Sequence, residues 1–300
     1  MANINMVLKE YLDYLEIEKN RSVKTRENYE RYLLAFFKQA NIKDTNDIIE
    51  KKVREFRLNL ARKRGGRTGT IKKNTQSYYV IAIRNLLKYL IKKGYAVISP
   101  DVIELPKLAT RQIEILENTE LERILKGPKG NTLRSLRDRA ILEVLFSTGL
   151  RLAELCGLSR YLDFSRGEIT VRGKGEKLRV VFISAGAKKT LEAYLEKRED
   201  AEEALFISLT KKEKVIGRIT SRAVERMVDK YAKESGISDK VTPHSFRHIF
   251  ATDLLINGAD LRSVQEMLGH SNIATTQVYT HVTNKELREI HKSFHGRRRG

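Results

Sequence analysis

Apolar side chains recur at helical spacing through almost the whole chain. Leu8, Leu12 and Leu15, with Tyr11 beside them, predict a helix over 4–19. Ser22 reads as the N-cap of a second, in which Tyr29, Leu33, Phe36 and Phe37 fall at i, i+4, i+7 and i+8. Asn46 or Thr45 is expected to cap a third helix carrying Ile48, Ile49, Val53, Phe56 and Leu60, which the Gly- and Arg-rich run 62–69 must break. A fourth, over 72–93, turns Tyr79, Ile83, Leu86, Leu87 and Leu90 inward and stops at Gly94. Residues 97–112 hold Pro100 and Pro106 and lack periodicity, as expected of an interdomain linker.

The pattern beyond it is mixed. Helical spacing over 119–126 and 135–147 ends at Gly149, and a short helix is expected around 152–157. Glu168–Arg172 alternates in polarity, a Gly-rich break follows at 173–176, and Leu178–Ile183 is rich in β-branched residues; together they predict a hairpin. Helical periodicity returns at 187–198, 220–235, 244–256, 260–268, 272–279 and 285–294. The predicted division is therefore 1–96, a linker 97–112, a larger unit 113–284 and a C-terminal segment 285–300.

Charge changes the picture. In 300 residues, enough for about two domains, 58 Lys and Arg face 38 Asp and Glu, leaving a formal charge of +20. Such an excess points to a polyanion, most often nucleic acid. It is concentrated: residues 51–93 hold 14 basic side chains against Glu55 alone, a local +13. A solvated face would mix signs, so Arg62, Lys63, Arg64, Arg67, Lys72 and Lys73 are candidate phosphate contacts. No apolar run approaches the ~20 residues of a membrane span, and the first residues do not read as a secretory leader. The one cysteine, Cys156, can close no internal disulfide. A soluble, cytoplasmic chain is expected.

The candidate chemistry starts from exclusions. No carboxylate cluster suited to paired metal ions, no Gly-Lys-Ser/Thr phosphate loop and no zinc spacing occurs, so no metal or cofactor is expected. Protein cations would then have to meet a phosphate's charge, and arginine offers the bidentate grip. In Thr242–His248, Pro243 would open a helix and place His244 and Arg247 on one face, with Phe246, Ile249 and Phe250 opposite as core anchors. Alone, such a segment is ordinarily just a polar helix face. Gly269-His270 and, nine residues on, Tyr279 add an acid/base pair and a phenol to the same stretch, although each singly reads as a cap or a half-buried aromatic.

With these motifs together, the chain resembles the tyrosine recombinases (the lambda-integrase family) and, within them, the Xer-type enzymes. The resemblance rests on Thr148–Leu155, Arg172–Gly175, His244–His248, and Leu268–Asn272 leading to Tyr279. It is weaker in the N-terminal half, through Ser22, Thr25, Tyr29, Phe36 and the run Ile83–Leu90. Phe246 stands where many relatives carry Leu, and 159–167 matches poorly. The resemblance implies a mainly α, two-domain clamp on duplex DNA: a helical, SAM-like core-binding domain and a mostly helical catalytic domain with a small antiparallel sheet.

It also implies roles. Arg151 and Arg247 would clamp the scissile phosphate, and Tyr279 would attack it to form a 3′-phosphotyrosine. A phenol near pKa 10 is only ~0.1% ionised at pH 7, so His244 would serve as base. His270 would hydrogen-bond the phosphate, and Lys174 would protonate the leaving 5′-oxygen. Glu154 would orient an arginine or helix. The implied partners are double-stranded DNA with an inverted-repeat site and further copies of the chain, four protomers on two duplexes. Exchange would pass through a Holliday junction without ATP. Chromosome-dimer resolution is the leading role, and integration of a mobile element the alternative. A type IB topoisomerase shares the chemistry, and a helix-turn-helix regulator would explain 244–270 but not Arg151, Lys174 and Tyr279 together. Finally, Leu287, Ile290 and Phe294 form one apolar stripe on 285–294, expected to dock on its own domain or on a neighbouring protomer.

Overall fold

The computed structural model describes residues 3–62, 69–106, 116–173, 178–270 and 273–277. The chain divides into two units, Met1–Arg111 and Gln112–Gly300, each with its own hydrophobic core.

The first unit is helical: α1 (Ile4–Ile17), α2 (Val23–Gln39), α3 (Glu50–Arg62) and α4 (Lys73–Lys92). Ser22 caps α2 as expected, its Oγ accepting from the Thr25 amide at 3.3 Å. The third helix starts later than expected. Asp44, not Asn46 or Thr45, starts a 3-10 turn over Thr45–Asp47, and its amide in turn donates to Asp47 at 3.0 Å. That reciprocal box uses carboxylates, stronger acceptors than the neighbouring neutral side chains, and it delays α3 to Glu50. The core gathers the residues with helical spacing, among them Leu12, Leu33, Phe36, Phe56, Leu86 and Leu90. Part of the segment read as a linker packs here: Pro100 and Ile103 are buried, and Arg84 donates to Asp101 at 3.0 Å and to the Ile103 carbonyl.

The second unit is built around α6 (Leu133–Thr148), which packs against α8 (Ala185–Glu196) and α10 (Pro243–Ile256). Ala140, Ile141, Leu142, Val144 and Leu145 are all buried, so this helix is covered on nearly every side. Arg137 on the same helix is buried too, with Asp138 and the Ile207 carbonyl as partners, and Tyr231 donates to Asp138 at 3.0 Å. α5 (Asn118–Leu125), α7 (Leu152–Gly157), α9 (Ser221–Glu234), α11 (Leu261–Leu268) and α12 (Ala274–Gln277) complete the described helices.

The predicted hairpin forms. β1 (Glu168–Arg172) runs antiparallel to β2 (Leu178–Phe182), with Val171 opposite Arg179. A second pair, β3 (Ile207–Leu209) and β4 (Val215–Arg218), is too short and irregular to announce itself in the pattern; its register shifts between Ser208 and Leu209. The chain is thus mainly α with two small antiparallel sheets. Among the described residues no helix is long and apolar enough to cross a membrane. The expected helix over 285–294 lies outside the described residues.

Candidate active site

The site grows from two helix ends. α6 closes at Gly149, whose φ of +58° is left-handed, and a Cβ there would lie 2.4 Å from the Phe250 ring on α10. Only glycine allows both the turn and the close approach of α10. Arg151, just beyond, is the N-cap of α7: its amide donates to Glu154 Oε2 at 2.8 Å, and its Nη1 to Glu154 Oε1 at 3.0 Å. The second end is that of α11, which closes at Gly269, again left-handed at φ +62°.

Three arginines converge on that end. Arg179 Nε donates to the Met267 carbonyl at 3.1 Å, Arg247 Nη2 to Leu268 at 2.5 Å, and Arg151 Nη2 to Gly269 at 2.8 Å. The last carbonyls of a helix carry its partial negative charge, so they hold guanidinium groups close together despite their mutual repulsion. Arg247 also donates from Nη1 to the Gly149 carbonyl at 2.6 Å, which links the two helix ends. Phe246 and Ile249 are buried on the apolar side of α10 as expected, and Arg247 is itself only 4% exposed.

The histidines sit in this positive field. His244 lies at the surface at the start of α10; desolvation by the surrounding protein, then the charges of Arg247 and Arg151, hold its pKa below 6.5. His270 follows Gly269 directly, with Nδ1 2.9 Å from Thr276 Oγ1 of α12. Burial, then Arg247, Arg151 and Arg179, push its pKa down to about 4. Both imidazoles are therefore neutral at pH 7, able to accept a proton or to donate one hydrogen bond. Glu154 is the opposite case: its two arginines and the Arg151 amide outweigh the burial that opposes them and hold its carboxyl at about 2.

The structure thus brings together Arg151, His244, Arg247 and His270. Lys174 and Tyr279 lie outside the described residues, as do Lys63, Arg64 and Arg67. Arg62 ends α3, while Lys72 caps α4 without a side-chain hydrogen bond and Lys73 follows it; all three are exposed. Sequence reasoning missed Arg179 and Thr276. Arg179 did carry a signal: it shares the inward parity of Val181 in an alternating strand, an unusual place for a charge. Among the described residues no group of three or more His, Cys, Asp or Glu is placed to hold a metal ion.

Clustered guanidiniums beside neutral imidazoles are groups whose chemistry suits a phosphoryl group. The comparisons agree with that class. Residues 114–286 match the phage integrase family, and residues 8–94 match its N-terminal SAM-like domain. The chain is 36% identical to tyrosine recombinase XerC of Myxococcus xanthus, over 99% of this chain and 100% of the relative. It is 35% identical to tyrosine recombinase XerD of Listeria innocua, over 98% and 100%. Among solved structures, XerA recombinase aligns over 98% of this chain and 99% of its own with 30% identity and a TM-score of 0.54. XerH recombinase bound to its palindromic difH substrate aligns over 94% and 82% with 24% identity and a TM-score of 0.70, a likeness of fold. The chain belongs to the phage integrase family, as a Xer-type tyrosine recombinase that cleaves and rejoins DNA through a tyrosine.

Proposed function

We propose that this enzyme exchanges strands between two copies of an inverted-repeat site in double-stranded DNA, resolving chromosome dimers. The observation that carries the reading is the convergence of Arg151 and Arg247 on the end of α11, next to neutral His270. In this reading residues 1–96 form the core-binding domain and 113–284 the catalytic domain. Arg151 and Arg247 bind the non-bridging oxygens of the scissile phosphate and stabilise the charge of its pentacoordinate transition state. Tyr279 attacks phosphorus, and its phenolic proton passes to His244. The bond to the 5′-oxygen breaks, and Lys174 supplies the proton that oxygen takes up. His270 donates a hydrogen bond to the phosphate, with Thr276 fixing its ring. The phosphodiester energy is retained in the 3′-phosphotyrosine, so a 5′-hydroxyl from the partner strand reseals it without ATP. Four protomers on two duplexes carry out two such rounds through a Holliday junction, in the cytoplasm. The resemblance to XerC and XerD across the full length favours chromosome-dimer resolution over mobile-element integration.

A duplex nicked near the crossover tests the chemistry, because release of the short fragment traps the covalent adduct. Peptide mapping should place the adduct on Tyr279. Strand exchange between two labelled duplexes then separates a recombinase from a type IB topoisomerase, and absence of any adduct would leave only a DNA-binding regulator.

A further inference from the structure

Arg179 makes a parallel, two-pronged contact with Glu154, Nη1 to Oε1 at 2.8 Å and Nη2 to Oε2 at 2.7 Å. Arg151 reaches the same carboxylate with one nitrogen only, Nη1 to Oε1 at 3.0 Å, and through its backbone amide. These four donors fill the acceptor capacity of a carboxylate. The Glu154 and Arg179 side chains are 5% and 11% exposed, whereas that of Arg151 is 29% exposed. Arg179 is also wedged against the α11 end: a Cβ on Gly269 would lie 3.0 Å from its Cδ, and its Nε bonds the Met267 carbonyl.

The charges matter more than the tether. Arg151 with Glu154 alone is a neutral pair, and a neutral pair attracts a phosphate weakly. With Arg179 on the same carboxylate, two cations share one anion and the trio keeps one net positive charge. Its exposed member is Arg151. We propose that Arg179 is a positioning residue for strand transfer, occupying both oxygens of Glu154 so that Arg151 presents an uncompensated charge to the scissile phosphate. The inference rests on the phosphate-clamping role proposed above for Arg151. Bidentate arginine suits the task because its planar fork takes both oxygens at once, which an ammonium cannot do.

Single-turnover cleavage of the nicked duplex is the test, at saturating DNA, on wild type, R179K, R179Q, E154Q and the double variant R179Q/E154Q. Duplex Kd and melting temperature are measured for each. R179Q should cleave at least about tenfold more slowly, with Kd within about threefold, since indirect loss of charge costs less than loss of a direct oxyanion donor. R179K, which keeps the charge but holds only one carboxylate oxygen at a time, should lose about threefold. The double variant should cleave at least about fivefold faster than R179Q, because removing the carboxylate frees Arg151 again; a tether alone would give additive or deeper losses. R179Q at the wild-type rate, R179K as slow as R179Q, or a double variant no faster than R179Q would each overturn the proposal. Should R179Q melt below the assay temperature, R179K decides. Its threefold loss must then be recovered in a further double variant, R179K/E154Q, and no loss, or one that E154Q deepens, refutes the role. A wild type that forms no adduct overturns the recombinase reading itself, and with it this inference.

Discussion

Arg247 donates to the carbonyl of Gly149 at 2.6 Å, so the helix that carries one candidate phosphate clamp is fastened to the turn that presents the other. Two effects should follow from Arg247→Ala. Cleavage should lose ~2.7–4 kcal/mol of barrier lowering, as for a single oxyanion donor. The fold should also lose stability, because the Gly149 and Leu268 carbonyls lose a charged donor and such bonds contribute about 1.5–3 kcal/mol. Stopped-time cleavage and chemical denaturation read the two separately. Undiminished cleavage by a folded Arg247→Ala protein would remove Arg247 from the chemistry.

Gly149→Ala tests the turn itself. An alanine there must adopt φ near +58°, for which a left-handed L-residue costs roughly 1–2 kcal/mol. Its Cβ must also displace the Phe250 ring, 2.4 Å away. We expect a lower denaturation midpoint together with slower cleavage, since Arg151 hangs on this turn. Adding Phe250→Leu should return the steric part and leave the backbone part. A midpoint within experimental error of wild type would show that neither constraint operates.

How much of this was legible in the sequence depends on the range of the interactions involved. Ser22 before α2, Gly94 after α4 and Pro243 opening α10 act within one turn of a helix, so local pattern places them. The 3-10 turn capped by Asp44 escaped because two adjacent polar residues looked equally able to start a helix, and the turn is set by the return bond that the Asp44 amide donates to Asp47. The order of motifs named the family and singled out Arg151, His244, Arg247 and His270, which the structure brings together. The three-carbonyl landing of Arg151, Arg179 and Arg247 could not be read, because it joins α7, β2 and α10 to the end of α11 across up to 118 residues of chain. β3 and β4 escaped for another reason: three- and four-residue strands leave too few alternations to register as a period.

His270 supplies a pH prediction. The native ring is held at about 4, against 6.5 for an ordinary histidine, so between those values the unfolded chain binds the extra proton. The stability of this origin is present above pH 6.5 and is lost as pH falls toward 4. A titration of the His270 resonance should find the low value in the free protein. Arg247→Ala should raise it, because a cation facing the ring is removed. A free-protein value near 6.5 would contradict the positive field drawn for this site.

Tyr279→Phe should abolish the covalent adduct while leaving duplex affinity nearly unchanged, since it removes one oxygen and no cation. Adduct formation by the phenylalanine variant at the wild-type rate would transfer the nucleophile to another residue. A large fall in affinity would instead make the tyrosine a binding residue.

Lys72 and Lys73 stand at the start of α4, where the helix dipole is positive and basic side chains are unfavourable. Ordinary helix design would place Asp or Glu there. Two lysines make sense if an anion joins them, and a DNA phosphate is the anion the charge distribution implies. The double change Lys72→Glu with Lys73→Glu should therefore have opposite effects on the two measurements. Each carboxylate should favour the helix terminus by about 0.3–1 kcal/mol, raising the melting temperature of the free protein. Duplex binding should weaken, and the slope of log affinity against log salt should flatten by about 0.9 for each phosphate that the protein no longer neutralises. A general electrostatic effect of the +20 chain would lower affinity without removing whole units of slope, so the slope rather than the affinity is decisive. A more stable protein with an unchanged slope would mean that these lysines face only solvent, and that DNA is gripped elsewhere along the basic stretch.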